Sequence, residues 1–74
     1  MQRQDRAMIN ITLNGEPHRA AAGMSIAALV AELGLDPKKV AVERNLEIVP
    51  RSTLTDVVLA DGDSLEIVHF VGGG

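Results

Sequence analysis

The residues of this chain best placed to do chemistry are its last four, Val71-Gly72-Gly73-Gly74. Glycine has no Cβ, so such a stretch is slim and conformationally free. Four extended residues span about 13 Å at about 3.3 Å each. A tail of that kind can enter a narrow channel in another protein and present the Gly74 carboxylate inside it. Taken alone, glycines in this position also fit a frayed end. The rest of the chain has to decide between the two.

Other chemistry is scarce. The chain has no Cys, which removes disulfides, thiolate nucleophiles and Cys-based metal sites. His18 and His69 do not stand in a metal-ligand spacing. His69 is expected near the end of a strand as a partly buried structural residue. No glycine-rich loop links a strand to a following helix, so no phosphate cradle is expected. The 74 residues allow one domain, expected to be too small for a pocket of about 300 Å³ or more. These features argue against a self-sufficient enzyme, and no catalytic residue, bound cofactor or metal is expected.

Charge narrows the partners. The net charge is -3 and the isoelectric point about 5.1, which opposes binding to nucleic acid. Phe70 is the only aromatic residue, so a base-stacking platform is not expected. From Ser52 to Gly74 the chain carries Asp56, Asp61, Asp63 and Glu66 and no Lys or Arg. A partner that receives the tail is therefore expected to be basic around its entrance. No run of about 18 apolar residues occurs, and the polar opening lacks the apolar core of a signal peptide. The expected setting is the cytoplasm, with no membrane contact and a monomer in isolation. Residues 1–7 are expected to be a disordered extension, with Met8 as a possible alternative start.

The elements that must position the tail follow from periodicity. Ile9, Ile11 and Leu13 alternate with Asn10, Thr12 and Asn14, the pattern of a half-buried strand. Asn14-Gly15 predicts a type I′ hairpin turn, leading into a second strand over roughly Glu16 to Ala21, with Pro17 placing it at an edge. Ile26, Leu29, Val30 and Leu33 make one apolar helical stripe, with Ser25 as the N-cap and Gly34 as the left-handed stop. Val40 to Val42 opens a third strand, and Ile48-Val49 is a short fourth one stopped by Pro50. Leu54, Val57 and Leu59 predict an irregular stretch with one helical turn. Asp61-Gly62-Asp63 is a turn. In the last strand Leu65, Ile67, His69 and Val71 share one face, and Glu66, Val68 and Phe70 share the other.

This order predicts an α+β fold of two layers, a mixed sheet of four to five strands on one main helix. The expected topology is the β-grasp, with the final strand central beside the first. The domain spans 8–70 and the reactive tail 71–74. If the helix covers the Leu65 face, Val68 and Phe70 stand exposed beside the tail as a candidate docking surface.

Several segments occur together in a recognisable order: Asn14-Gly15-Glu16, Leu33-Gly34-Leu35, Val40 to Asn45, Ile48 to Ser52, Asp61-Gly62-Asp63 and the final Val71 to Gly74. In this order the chain resembles the bacterial ThiS family, the ubiquitin-like sulfur carriers of thiamine thiazole synthesis, over about Met8 to Gly74. Leu46 departs from the pattern, standing where many members have Gly. The resemblance implies that an E1-like adenylating enzyme uses ATP to activate the Gly74 carboxylate. Sulfur, relayed from a source such as a cysteine desulfurase, would then give a thiocarboxylate, and thiazole synthase would receive the tail and take the sulfur. Gly74 would be the modified residue, with Val71, Gly72 and Gly73 threading it. Three alternatives stay open: a carrier of the molybdopterin-synthase small-subunit type, a β-grasp binding module with an inert tail, and conjugation to protein lysines.

Overall fold

In a computed structural model of the chain, residues 7–71 are described. The predicted hairpin forms from β1 (Met8–Leu13) and β2 (Glu16–Ala21), paired antiparallel from Met8 opposite Ala21 to Leu13 opposite Glu16. Asn14 and Gly15 turn it with φ of 51° and 84°, the double positive φ of a type I′ turn. The Ala7 carbonyl accepts a bond from the Ala22 N–H at 2.9 Å, so pairing begins one residue before β1. Ala7 thus belongs with the hairpin instead of the expected extension, because a backbone donor lies opposite its carbonyl. The remainder of that extension, and Gly72 to Gly74 of the expected tail, lie outside the described residues.

Helix α1 (Ile26–Glu32) is held at both ends. The Ser25 side chain accepts from the Ala28 N–H at 3.0 Å. The N–H groups of Ile26 and Ala27 donate to Val57 and Leu54 carbonyls. First-turn donors that a helix cannot satisfy internally are thereby used to fasten the 54–57 segment. At the other end the Leu35 N–H donates to Val30 and the Gly34 N–H to Ala31, the two bonds of a Schellman motif, with Gly34 at φ 82°. Leu33 departs from its predicted core position. It is the C-cap residue and 37 % exposed, since the stripe rotates off the sheet as the helix ends.

A 3₁₀ turn at Pro37–Lys39 leads into β3 (Val40–Arg44), which pairs antiparallel with β4 (Glu47–Val49). A second 3₁₀ turn, Arg51–Thr53, follows Pro50. The last strand, β5 (Ser64–His69), lies parallel to β1 and antiparallel to β3. The sheet order is β2-β1-β5-β3-β4, with the first and last strands adjacent near the centre. This is the β-grasp. Ile11, Ala20, Val40, Val42, Leu65 and Ile67 from the sheet close over Ile26, Leu29 and Val30 of the helix, with Leu54 and Leu59 sealing the side.

Candidate functional site

β5 carries the chain to the residues that would do the chemistry, so its setting defines the site. Leu65 and Ile67 are buried under the helix, and Glu66, Val68 and Phe70 face outward. Val68 is 57 % exposed and Phe70 46 % exposed, a high value for the only aromatic ring in the chain. Both candidate docking residues therefore stand on the outer face, and Val71 beyond them is exposed. His69 departs from expectation. It keeps the inner-face parity of Ile67 but is exposed, because the core ends at Ile67.

The outer face holds more apolar surface than the last strand alone suggests. Ala41 on β3 lies opposite Val68, and both are exposed. Ile48 on β4 lies opposite Glu43, and 79 % of it is exposed. Glu43 in turn lies opposite Glu66 on β5. Two carboxylates directly across from each other cost the free domain a few tenths of a kcal/mol or more. The face is thus apolar at Ala41, Ile48, Val68 and Phe70, with two facing carboxylates, Glu43 and Glu66, set among them on the inner strands β3 and β5. Ile48 was legible in principle. The two-residue turn at Asn45-Leu46 sets 44 opposite 47 and hence 43 opposite 48, and the charged Glu43 marks that side as the wet one.

Three polar side chains set the course of β5. Asp63, just before it, is buried and takes three bonds: from the Ala60 N–H at 2.9 Å, the Asn45 Nδ2 at 3.1 Å and the Arg44 Nε at 2.9 Å. Burial pushes the Asp63 carboxyl towards a higher pKa. The bonds from Ala60, Asn45 and Arg44, with the Arg44 charge, outweigh this and leave it below its ordinary 3.8. The Asn45 Oδ1 also accepts from the Ser64 N–H at 2.9 Å. On the opposite flank, Asn14 accepts from the Ile67 N–H at 2.8 Å and donates to the Ile67 carbonyl at 3.3 Å. The sequence marked Asn14 as a turn residue and Asp63 as a turn carboxylate. It did not show that Asn14 reaches Ile67 or that Asp63 gathers Arg44 and Asn45, because those contacts span 53, 19 and 18 positions.

A cleft of about 450 Å³ lies where the Arg51–Thr53 turn arches away from β4. It is lined by Arg44, Glu47, Ile48, Pro50, Thr53 and Val57 among others. This corrects the expectation that so small a domain has no hollow of that size. A short edge strand followed by Pro50 leaves a gap that no further strand fills. The cleft does not bring together an acid and a base suited to catalysis, since the Arg44 guanidinium is already paired with Asp63.

Comparison with known proteins places this arrangement. Residues 11–74 match the ThiS family. A thiazole synthase of Paramagnetospirillum magneticum is 54 % identical over 66 residues, which are 89 % of this chain and 20 % of that protein. The chain therefore spans about a fifth of the length of the thiazole synthases it matches. The sulfur carrier protein ThiS of Bacillus subtilis is 50 % identical over 50 residues, covering 68 % of this chain and 76 % of that one. Among solved structures, the thiamine biosynthesis protein ThiS of Geobacter metallireducens superposes with a TM-score of 0.75 at 32 % identity, covering 89 % of this chain and all of that one.

Proposed function

The chain belongs to the ThiS family, and we propose that it carries sulfur for thiazole formation in thiamine biosynthesis as a thiocarboxylate on Gly74. The observation that carries this reading is the reach of the family match, which runs through the glycines to residue 74 in a chain without cysteine. No side-chain thiol competes with Gly74 as the place where sulfur would rest.

The chemistry needs two steps. A carboxylate is a poor electrophile, so a partner enzyme first joins it to the AMP of ATP, releasing pyrophosphate. Hydrosulfide then attacks the acyl carbon, the bond to AMP breaks, and the C-terminal carbonyl is left bearing sulfur. The thiocarboxylate is the better nucleophile and passes its sulfur on. The catalytic groups and the ATP site belong to the partner. This chain supplies the carbonyl at Gly74, the slim approach through Val71, Gly72 and Gly73, and a body to be recognised.

Recognition falls to the outer face. Val68 and Phe70 give an adenylating enzyme and a thiazole synthase an apolar contact beside the tail, and Glu43 and Glu66 favour a basic rim on those partners. The thiazole synthase relatives support that enzyme as the sulfur acceptor.

The test is direct. The chain is incubated with ATP, sulfide and a thiamine-pathway adenylating enzyme, treated with a thiol alkylator, and weighed intact. The expected result is one ATP-dependent adduct that maps to Gly74 and is lost when Gly74 is deleted. An enzyme active on another carrier but inert on this chain would overturn the reading.

A further inference from the structure

Backbone groups along β5 alternate between its two flanks. Those of even-numbered residues meet β3: the Asn45 N–H donates to the Ser64 carbonyl at 2.7 Å, and the Phe70 N–H donates to the Lys39 carbonyl at 2.8 Å. Those of odd-numbered residues meet the β1 flank. The Thr12 N–H donates to the Asp63 carbonyl at 2.9 Å and the Asn14 N–H to the Leu65 carbonyl at 2.8 Å. β1 then ends at Leu13 and the chain turns away. The Asn14 carboxamide stands in for one more peptide group, bonding both the N–H and the carbonyl of Ile67. His69 is the next odd residue and Val71 the one after. β1 offers β5 no pairing beyond Leu13, and among the described residues neither N–H donates to a turn or loop carbonyl.

We propose that this stretch, His69 to Val71, is an open strand edge that takes an extended main-chain segment of the adenylating enzyme that activates Gly74. The proposal rests on the sulfur-carrier reading and adds how the partner grips the chain. Gly74 lies at most about 10 Å from Val71 along an extended chain. An enzyme that handles its carboxylate must therefore bring its surface close to this edge. Glycines offer no side chains to hold, so main-chain donors and acceptors are the available handles. Strand addition uses such groups for affinity and leaves alternate side chains for selectivity. Val68 and Phe70, on the outer face and bonded away from this edge, remain free for that second task. Asn14 marks where the domain's own pairing stops and the partner's begins.

Amide hydrogen exchange, read by NMR on the whole ¹⁵N-labelled chain alone and with the adenylating enzyme that makes the thiocarboxylate, tests this. The amides of His69 and Val71 are expected to slow at least roughly tenfold in the complex. A 74-residue chain is within reach of total synthesis, so Val71 can also be replaced by its α-hydroxy acid counterpart, which puts an ester oxygen in place of the N–H and weakens the Phe70 carbonyl as an acceptor. That ester analogue is expected to bind about fivefold more weakly with an unchanged melting temperature. The edge is ruled out if thiocarboxylate forms while neither amide slows and the ester binds like the parent chain. It is also ruled out if His69 and Val71 are protected without enzyme in a concentration-dependent dimer, since the edge then serves a second copy. Absence of thiocarboxylate with an enzyme active on another carrier removes the carrier reading itself, and the proposal with it.

Discussion

The two hairpin turns of this domain begin alike and diverge at their second residue. Asn14 and Asn45 both sit at positive φ, 51° and 53°, and both send their carboxamides to β5. Asparagine suits both jobs, tolerating the left-handed conformation and bonding nearby backbone groups. The second residue is Gly15 in one turn and Leu46 in the other, at φ 84° and 71°. The partners differ too. Asn14 meets only backbone, at Ile67, whereas Asn45 is shared between the Ser64 N–H and the buried Asp63 carboxylate. The central strand is thus clamped from both flanks, neutrally on the β1 side and through a charge on the β3 side.

Removing that charge is the most severe way to break the comparison. Asp63→Ala leaves the Ala60 N–H, the Asn45 amide and the Arg44 guanidinium without their acceptor. The expected cost is about 3 kcal/mol. A core of this size supplies only about 3–5 kcal/mol. Thermal melts should therefore show the variant at or near its unfolding midpoint at 25 °C. A loss below about 1 kcal/mol would mean that water replaces the carboxylate and that the charged clamp holds little.

The clamps themselves come next. Asn14→Gly and Asn45→Gly both keep the positive φ and delete only the carboxamide. Asn45→Gly is expected to cost about 2 kcal/mol, because one of its bonds goes to a carboxylate. Asn14→Gly should cost about 1 kcal/mol, since the groups it frees on Ile67 lie at a strand edge that water can reach. Urea denaturation of the pair measures the difference. Equal costs would show that the charge on the β3 side adds nothing to the Asn45 clamp.

Acid separates the two flanks without any change in the Asn residues. The folded-state pKa of Asp63 lies below its ordinary 3.8, so the unfolded chain takes up the proton first as pH falls. The stability Asp63 contributes is complete above the unfolded value. It is lost as pH drops from about 3.8 through the folded value. Melting temperature should fall in that window for the parent chain and for Asn14→Gly. It should fall less for Asp63→Asn, whose side chain cannot titrate. Identical slopes would place the acid sensitivity elsewhere.

What could be read from the sequence follows the range of each interaction. The strands, helix, caps and first turn rest on patterns of a few residues, and the Asn14-Gly15 turn, the Ser25 cap and the Gly34 stop stand where those patterns put them. The central place of β5 followed from topology rules. The clamps did not follow, because Asn14 meets a residue 53 positions away and Asn45 one 18 positions away. Alternation in a strand assigns a face but not where the core ends, so His69 was misjudged while Val68 and Phe70 were put on the outer side. Ile48 on that same face went unnoticed because a three-residue edge strand carries too little alternation to read.

The smallest expected effect bears on the residue that sets the two turns apart. Leu46 holds φ 71° with 90 % of its surface exposed, so it is strained and buries almost nothing. A left-handed conformation costs a side-chain-bearing residue about 1–2 kcal/mol. Leu46→Gly removes that strain but gives back about 0.5–1 kcal/mol through the greater freedom of glycine in the unfolded chain. The net expectation is a gain of about 0.5 kcal/mol, a rise of roughly 2–4 °C in melting temperature for a domain this small. Strain kept at an exposed apolar residue two positions from Ile48 raises the question of a use outside the free domain. A weaker complex with the adenylating enzyme, measured on the stabilised variant, would extend the proposed docking surface to this turn. Unchanged affinity would leave Leu46 as strain the fold tolerates and confine the proposed docking surface to Ala41, Ile48, Val68 and Phe70.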